Sequence, residues 1–573
     1  MTADALAASP LPSARRRLDL SGGVLVLFAA ILALLIILPL AWLVVFAFSD
    51  RARNPTLANF RLLFTDPAFL DPLLATFTIA LSVGVICCAV AAPMGWLVAR
   101  TDMPLRRPIR LLVMASFVTP PFLGAIAWEL LAAPNSGLIN QAYRGIIGDA
   151  DAKLFDIYSL TGLIFVISCY TFPYVFVLVA NALDRTPGEL EDASAMLGAS
   201  AWRTARRVTI PLALPALLAG ALVAFLQAMT LFGSPAILAL PAGFHTMTTK
   251  IWSLFQYPPK PELAAAASLP LLLMTVILLR GQSALLGRRG YVVVGGKSGP
   301  PQPVRLGGLR WPAFLLCFAM LCLPVFLPYG ALLNAAFSRI ASQPLSLETA
   351  TLHNVQFVFF ELSATKLAMR NTFLLGLMAA TAGTALALVI AYLTARAAIT
   401  GHRLLAFLAT APIAIPGIVL GVGLFLAYTR GPVVLYGTLW ILLIAYVTIE
   451  LPAAYQQLQS AFRSLSPELE EAGRILGASR LRTLWDVTAP LLGPSLIATW
   501  CFIFVAVIRE LSAAVILFTS ETKVLSVLIF DLKESGDLGA IAVLGLTMLI
   551  LTAAVIVAVN RIPGFSGVRL RNN

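Results

Sequence analysis

Apolar runs of about 20 residues follow one another along nearly the whole chain, separated by short polar and basic segments. Runs of that length match the roughly 30 Å hydrocarbon core of a bilayer, so each is predicted to form a spanning helix. Twelve spans are expected, at about 22–48, 73–99, 109–132, 158–183, 208–231, 261–282, 311–337, 366–395, 404–428, 434–459, 486–518 and 538–560. The first follows Arg15, Arg16 and Arg17. It is too long for a signal-peptide core and has no small-residue cleavage site after it, so it is expected to stay as a spanning helix.

The distribution of lysine and arginine tests this count. With the N-terminus in the cytoplasm, and with Arg110 and Arg280 counted in the loops they flank, cytoplasmic segments hold 26 Lys/Arg and outside segments 11. A miscounted span would invert every later loop and blur that bias. Both termini are therefore expected in the cytoplasm.

Composition agrees: 573 residues are 59% hydrophobic and 12% charged, where soluble domains carry about a quarter charged residues. The chain is predicted to be an all-α polytopic membrane protein. Its net charge of +13 needs no nucleic-acid partner, because the basic residues sit mostly in cytoplasmic loops facing anionic lipid headgroups. The six cysteines (Cys87, Cys88, Cys169, Cys317, Cys322 and Cys501) lie in apolar runs without metal-ligand spacing and read as small hydrophobes. His245, His353 and His402 are scattered.

A second regularity lies on top of the first. "ELEDASAMLGAS" from Glu189 is matched by "ELEEAGRILGAS" from Glu468, 279 residues later, and residues 189–217 share sixteen identities in twenty-nine positions with 468–496. Pro173 and Pro452 match in the preceding span, and Ile237-Leu238 and Ile516-Leu517 in the following one. The chain is thus two six-span repeats, and the even number of spans makes them parallel, related by an axis along the membrane normal. The expected organisation is a tail over 1–21, a first half over 22–282, a linker over 283–310, a second half over 311–561 and a tail over 562–573. The linker contains Gly295-Gly-Lys-Ser298, but a phosphate-binding loop needs glycine where Tyr291 stands, followed by a helix rather than Gly299-Pro300-Pro301. No nucleotide site is expected in this chain.

The repeated stretch lies between the fourth and fifth spans of each half, within 187–211 and 466–490. Acidic first turns (Glu189, Glu191, Asp192; Glu468, Glu470, Glu471) suit a helix N-terminus. Pro187 and Pro467 suit a helix start, and Gly198 and Gly477 suit the left-handed stop. Ser200 and Ser479 can cap a second short helix carrying Arg203 or Arg482. Two matched charged elbows at equivalent cytoplasmic places point to a shared docking role. The alternative is an ordinary amphipathic connector.

This pattern resembles the Glu-Ala-Ala loop of binding-protein-dependent ABC importer permeases. It falls on Asp192-Ala193-Ser194, Gly198 and Val208-x-Ile210-Pro211, and on Glu471-Ala472-Gly473, Gly477 and Val487-x-Ala489-Pro490. The departures are Asp192, Ser194, Gly473 and Ala489. The resemblance implies a type I importer permease fold in a bacterial inner membrane. It also implies that the ATPase-coupling residues are Glu191, Asp192, Ala193, Gly198, Pro211, Glu470, Glu471, Ala472, Gly477 and Pro490. Each loop would dock on one of two copies of an ABC ATPase subunit, which would supply ATP and Mg, so this chain would need no cofactor and catalyse nothing itself. An extracytoplasmic substrate-binding protein would deliver the cargo. Pro120–Asn140, Leu231–Trp252 and Arg509–Leu532 look like the fused permeases of ferric-iron importers, whose relatives handle 2-aminoethylphosphonate or thiamine.

An ionisable residue inside a span is costly and hence a candidate for the transport path. Four stand out: Glu129 and Glu450, placed toward span ends, and Arg509 and Glu510. As neighbours on one helix, Arg509 and Glu510 would point about 100° apart and need separate partners. Glu510 is expected to face the path and Arg509 to anchor the helix on a carboxylate or backbone carbonyls; a buried structural pair is the competing reading. No metal-ligand cage is recognisable. An ion-coupled secondary transporter is also compatible with two parallel six-span repeats, although it would not need two docking elbows.

Overall fold

The computed structural model describes residues 21–186, 188–287, 303–429 and 433–561. The first tail except Ser21, the last tail, Pro187 and the Gly295–Ser298 segment lie outside them. Among the described residues there are helices, no strands and three isolated bridges.

In the first half α1 (Gly23–Ala47) and α2 (Pro67–Arg100) precede a bent pair, α3 (Arg106–Val118) and α4 (Pro121–Ala132). Next come α5 (Leu160–Arg185), the short α6 (Glu189–Met196), α7 (Ala205–Thr230) and α8 (Pro261–Gly287). The second half repeats this order: α9 (Gly307–Phe337), α10 (Ser363–Ala395), the bent pair α11 (His402–Ala414) and α12 (Gly417–Tyr428), α13 (Leu439–Ser464) and α14 (Glu468–Ile475). It closes with α15 (Gly493–Ile508), α16 (Leu525–Ser535) and α17 (Leu538–Val559). The helical ends at Gly287 and Gly307 shorten the expected linker from both sides.

Among the described residues nine helices are long and apolar enough to cross a membrane, and each bent pair adds one candidate. The expected span 486–518 holds only the shorter α15. The expected straight spans 109–132 and 404–428 are corrected: they bend by 98° and 109°. The cause is local. Thr119 and Pro120, and likewise Ile415 and Pro416, have extended backbones. Proline disfavours the helical conformation of the residue before it and has no N–H to continue the ladder.

Four further prolines shape the spans differently. Pro39, Pro211, Pro328 and Pro490 each follow a five-residue π turn, in which the residue before the proline bonds five positions back. A widened turn gives the ring room that a regular turn would deny it.

The halves exchange their first spans. α1 packs on α11 and α12 of the second half, while α9 packs on α3 and α4 of the first. Contact with α12 is close enough that a Cβ on Gly423 would lie 2.9 Å from the Pro39 carbonyl oxygen. Tyr428 donates to the Leu34 carbonyl at 3.2 Å, and the Tyr329 and Thr119 hydroxyls bond at 2.7 Å. Association therefore does not depend on the linker. Cutting the chain within 288–302 and co-expressing the pieces is expected to yield a pair that co-purifies through a tag on either piece. Recovery of the tagged piece alone would contradict the exchanged packing.

Candidate functional site

The two elbows are built alike. Each begins with an eight-residue helix, α6 or α14. Gly198 and Gly477 then take φ of +79° and +89°, and Ala199 and Ala478 donate to the carbonyls of Ser194 and Gly473, both at 3.1 Å. That six-to-one bond closes a helix through a left-handed residue, a conformation in which a Cβ would be strained. Ser200 and Ser479 accept from the N–H groups of Arg203 and Arg482, starting a second short helix. The π turn before Pro211 or Pro490 returns the chain to the membrane.

The elbow tips are apolar and bare. Leu197 is 89% exposed and Leu476 88%, with Met196 and Ile475 beside them. Ala193, Glu471 and Ala472 are also exposed. Glu191 and Glu470 turn inward. Glu191 Oε1 accepts from Arg100 Nε at 3.3 Å and Thr209 Oγ1 at 2.6 Å; Glu470 Oε1 accepts from Arg396 Nε at 3.0 Å.

A cavity of about 510 Å³ lies between the halves, under both bent pairs. Glu450, Arg509 and Glu510 line it from the second half, with Gln227, Thr230 and Thr275 opposite. Arg509 and Glu510 are not helix neighbours as expected, because α15 ends at Ile508. The Glu510 carboxylate accepts from the N–H groups of Ala513 and Ala514 at 3.1 and 3.3 Å, capping the short helix that follows. Such a cap competes with continuation of the preceding helix. Arg509 donates to the Phe117 carbonyl at 2.7 Å and lies over the Phe117 ring, tying the second half to the first. Glu450, expected near a span end, sits mid-helix in α13. Irregular backbone at this depth is tolerated because it lines a cavity.

Glu129 lies outside the cavity lining. Its Oε1 accepts from Lys533 Nζ at 2.5 Å and Tyr158 Oη at 2.7 Å, pairing α4 of one half with α16 of the other. Burial first, then the Glu129 carboxylate, pushes the Tyr158 phenol well above its ordinary value, so it stays a proton donor at physiological pH. Removing one partner of a buried pair strands the other charge. Lys533→Ala is expected to destabilise the protein by about 3 kcal/mol, read as a lower unfolding temperature in detergent, whereas Glu129→Gln with Lys533→Met loses less.

Sequence reasoning missed Arg100 and Arg396, which read only as topology-setting charges. The available signal was positional: each ends the second apolar run of its half. Among the described residues no group of three or more His, Cys, Asp or Glu is arranged to hold a metal ion.

Residues 91–289 and 383–571 each match the model of the binding-protein-dependent transport system inner membrane component family, together more than half of the chain. The chain belongs to this family. It carries the permease unit twice. The ferric transport system permease protein FbpB of Actinobacillus pleuropneumoniae is 28% identical over 453 residues, covering 78% of this chain and 64% of that protein. The chain thus spans a little under two thirds of the curated relative's length. The molybdenum transport system permease protein ModB of Mycobacterium bovis is 28% identical over 39% of this chain and 83% of its own. The putative 2-aminoethylphosphonate transport system permease protein PhnV of Salmonella paratyphi A is 29% identical over 26% of this chain and 57% of its own.

Proposed function

We propose that this fused permease is the membrane-spanning subunit of an ATP-driven importer, working by alternating access, with ferric iron as cargo. The observation that carries the transport reading is the pair of matched elbows. Each presents an apolar tip that packing within the chain leaves bare, as a docking surface for a separate subunit requires. Two tips suit two copies of an ABC ATPase. ATP binding would close that dimer, draw the elbows together and rock the halves about the cavity. An extracytoplasmic binding protein would supply high-affinity capture, since the cavity offers only scattered ligands.

The iron reading draws support from the ferric relatives and from oxygen chemistry. Glu450 and the facing side-chain oxygens suit a hard cation better than thiols would. A second reading, 2-aminoethylphosphonate, draws on Arg509 beside two carboxylates, a pairing that matches a zwitterion. Purification of the tagged chain from its own membrane, followed by reconstitution in vesicles, tests the class. Stoichiometric ATPase and ATP-dependent uptake are expected; uptake by this chain alone on an ion gradient would replace the reading with secondary transport. Binding of iron(III) citrate and of 2-aminoethylphosphonate to the cognate binding protein separates the cargoes.

A further inference from the structure

Each elbow is fastened to the membrane domain by one arginine, in the same way in both halves. Arg100, the last residue of α2, places Nη2 3.1 Å and Nε 3.3 Å from Glu191 Oε1, and Nη1 3.2 Å from the Thr186 carbonyl. Arg396, which caps α10, donates from Nε to Glu470 Oε1 at 3.0 Å and from Nη2 to the Leu465 carbonyl at 3.2 Å. Thr186 and Leu465 cap α5 and α13. The last carbonyls of a helix lack partners within it and attract cations. One guanidinium therefore joins three elements: the end of the second span, the end of the fourth and the first turn of the elbow helix.

We propose that Arg100 and Arg396 are the transmission residues of this permease, converting movement of each elbow into movement of the second and fourth spans as one body. This rests on the reading of the elbows as ATPase-docking loops. The geometry suits the task. α2 and α10 have 34 and 33 residues, or about 50 Å at 1.5 Å per residue, well beyond the roughly 30 Å hydrocarbon core. Their cytoplasmic ends therefore reach the elbows, while α2 packs along α5, and α10 along α13. Guanidinium is suited to the joint because its planar fork serves a carboxylate and a carbonyl at once, which an ammonium on a flexible stem does not.

The two clamps are not equally deep. The Arg100 side chain is 1% exposed and that of Arg396 14%. Thr209 adds a second donor to Glu191. The Arg100 carbonyl also accepts from the Val304 N–H at 2.7 Å, so the far end of the linker is fastened to the first clamp. Loss of the first clamp is accordingly the larger lesion.

The test reads transmission directly and needs no cargo. The full chain carries Thr230→Cys in the cavity and is purified with its ATPase in lipid vesicles. A membrane-impermeant maleimide is applied without nucleotide and with ATP plus vanadate, and modification at 230 is measured by peptide mass spectrometry. With both arginines intact, the two nucleotide states are expected to differ several-fold in labelling. Arg396→Gln is expected to reduce that ratio, and Arg100→Gln to bring it near one, with the ATPase still co-purifying because the tips are untouched. Arg396→Lys is expected to fall between arginine and glutamine. The exchange Arg396→Glu with Glu470→Arg restores the ion pair but not the donor to the Leu465 carbonyl, so it is expected to regain only part of the response. Should Arg100→Gln fail to accumulate, Arg396→Gln and Glu470→Gln at the shallower clamp carry the test. A full nucleotide response in the clamp variants would overturn transmission alone. Absence of any ATPase with the unmodified chain would overturn the docking reading beneath it.

Discussion

Leu197→Asp with Leu476→Asp is expected to strip the ATPase from the purified permease and to abolish uptake. Both side chains stand almost fully in solvent at the ends of short helices, so the substitutions cost the isolated chain little. At an interface they place a charge against whatever apolar surface receives the tip. Truncating a central interface anchor costs about 2 kcal/mol or more, roughly thirtyfold in affinity for each tip. Two tips on one chain bind with avidity, so either single variant is expected to retain part of the ATPase and only the pair to lose it. Quantitative co-purification from membranes measures this. Full retention by the double variant would remove the tips from the docking surface.

Glu450→Gln is expected to change uptake in a direction that depends on the charge of the cargo. Glu450 stands in the middle of α13 and faces the cavity beside Arg509. Two unit charges at 4 Å interact by about 4 kcal/mol at an effective dielectric of 20, and with the water a cavity admits, about half of that is a reasonable figure. For iron(III) the expected result is uptake lowered roughly 10- to 100-fold, with ATPase association unchanged. For an oxyanion the same substitution would raise uptake by lifting a repulsion. Initial rates with radiolabelled iron(III) citrate and with molybdate separate the two. A rate unaltered for every ligand would take Glu450 out of the path.

The fold was legible to the extent that local signals express it. Apolar runs located the spans because lipid imposes their length, and the 279-residue repeat exposed the two halves. Proline was read for the elbows but not for the bent pairs. Thr119-Pro120-Pro121 and Ile415-Pro416-Gly417 lie inside runs whose hydropathy is continuous, so apolarity concealed the breaks that proline chemistry imposes. The same continuity placed Arg509 and Glu510 on one helix. Their separation comes from the Glu510 carboxylate capping a new turn, which depends on where the chain goes next. Arg100 and Arg396 were the hardest to see. A basic residue after a span is expected on topological grounds alone, and nothing local says that its partner lies 91 residues away in one half and 74 in the other. The elbow tips were nearly the reverse: the Leu-Gly-Ala-Ser stop was plain in the sequence, and it leaves the preceding leucine without a partner.

The exchanged first spans bear on the order in which the chain is made. α12, against which Pro39 packs at Gly423, is completed almost four hundred residues after α1. At about 5–20 residues per second, α1 waits tens of seconds in the bilayer with one flank covered only by lipid. A chain stalled before Tyr428 would therefore leave that flank of α1 open, a seam that chaperones and proteases could recognise.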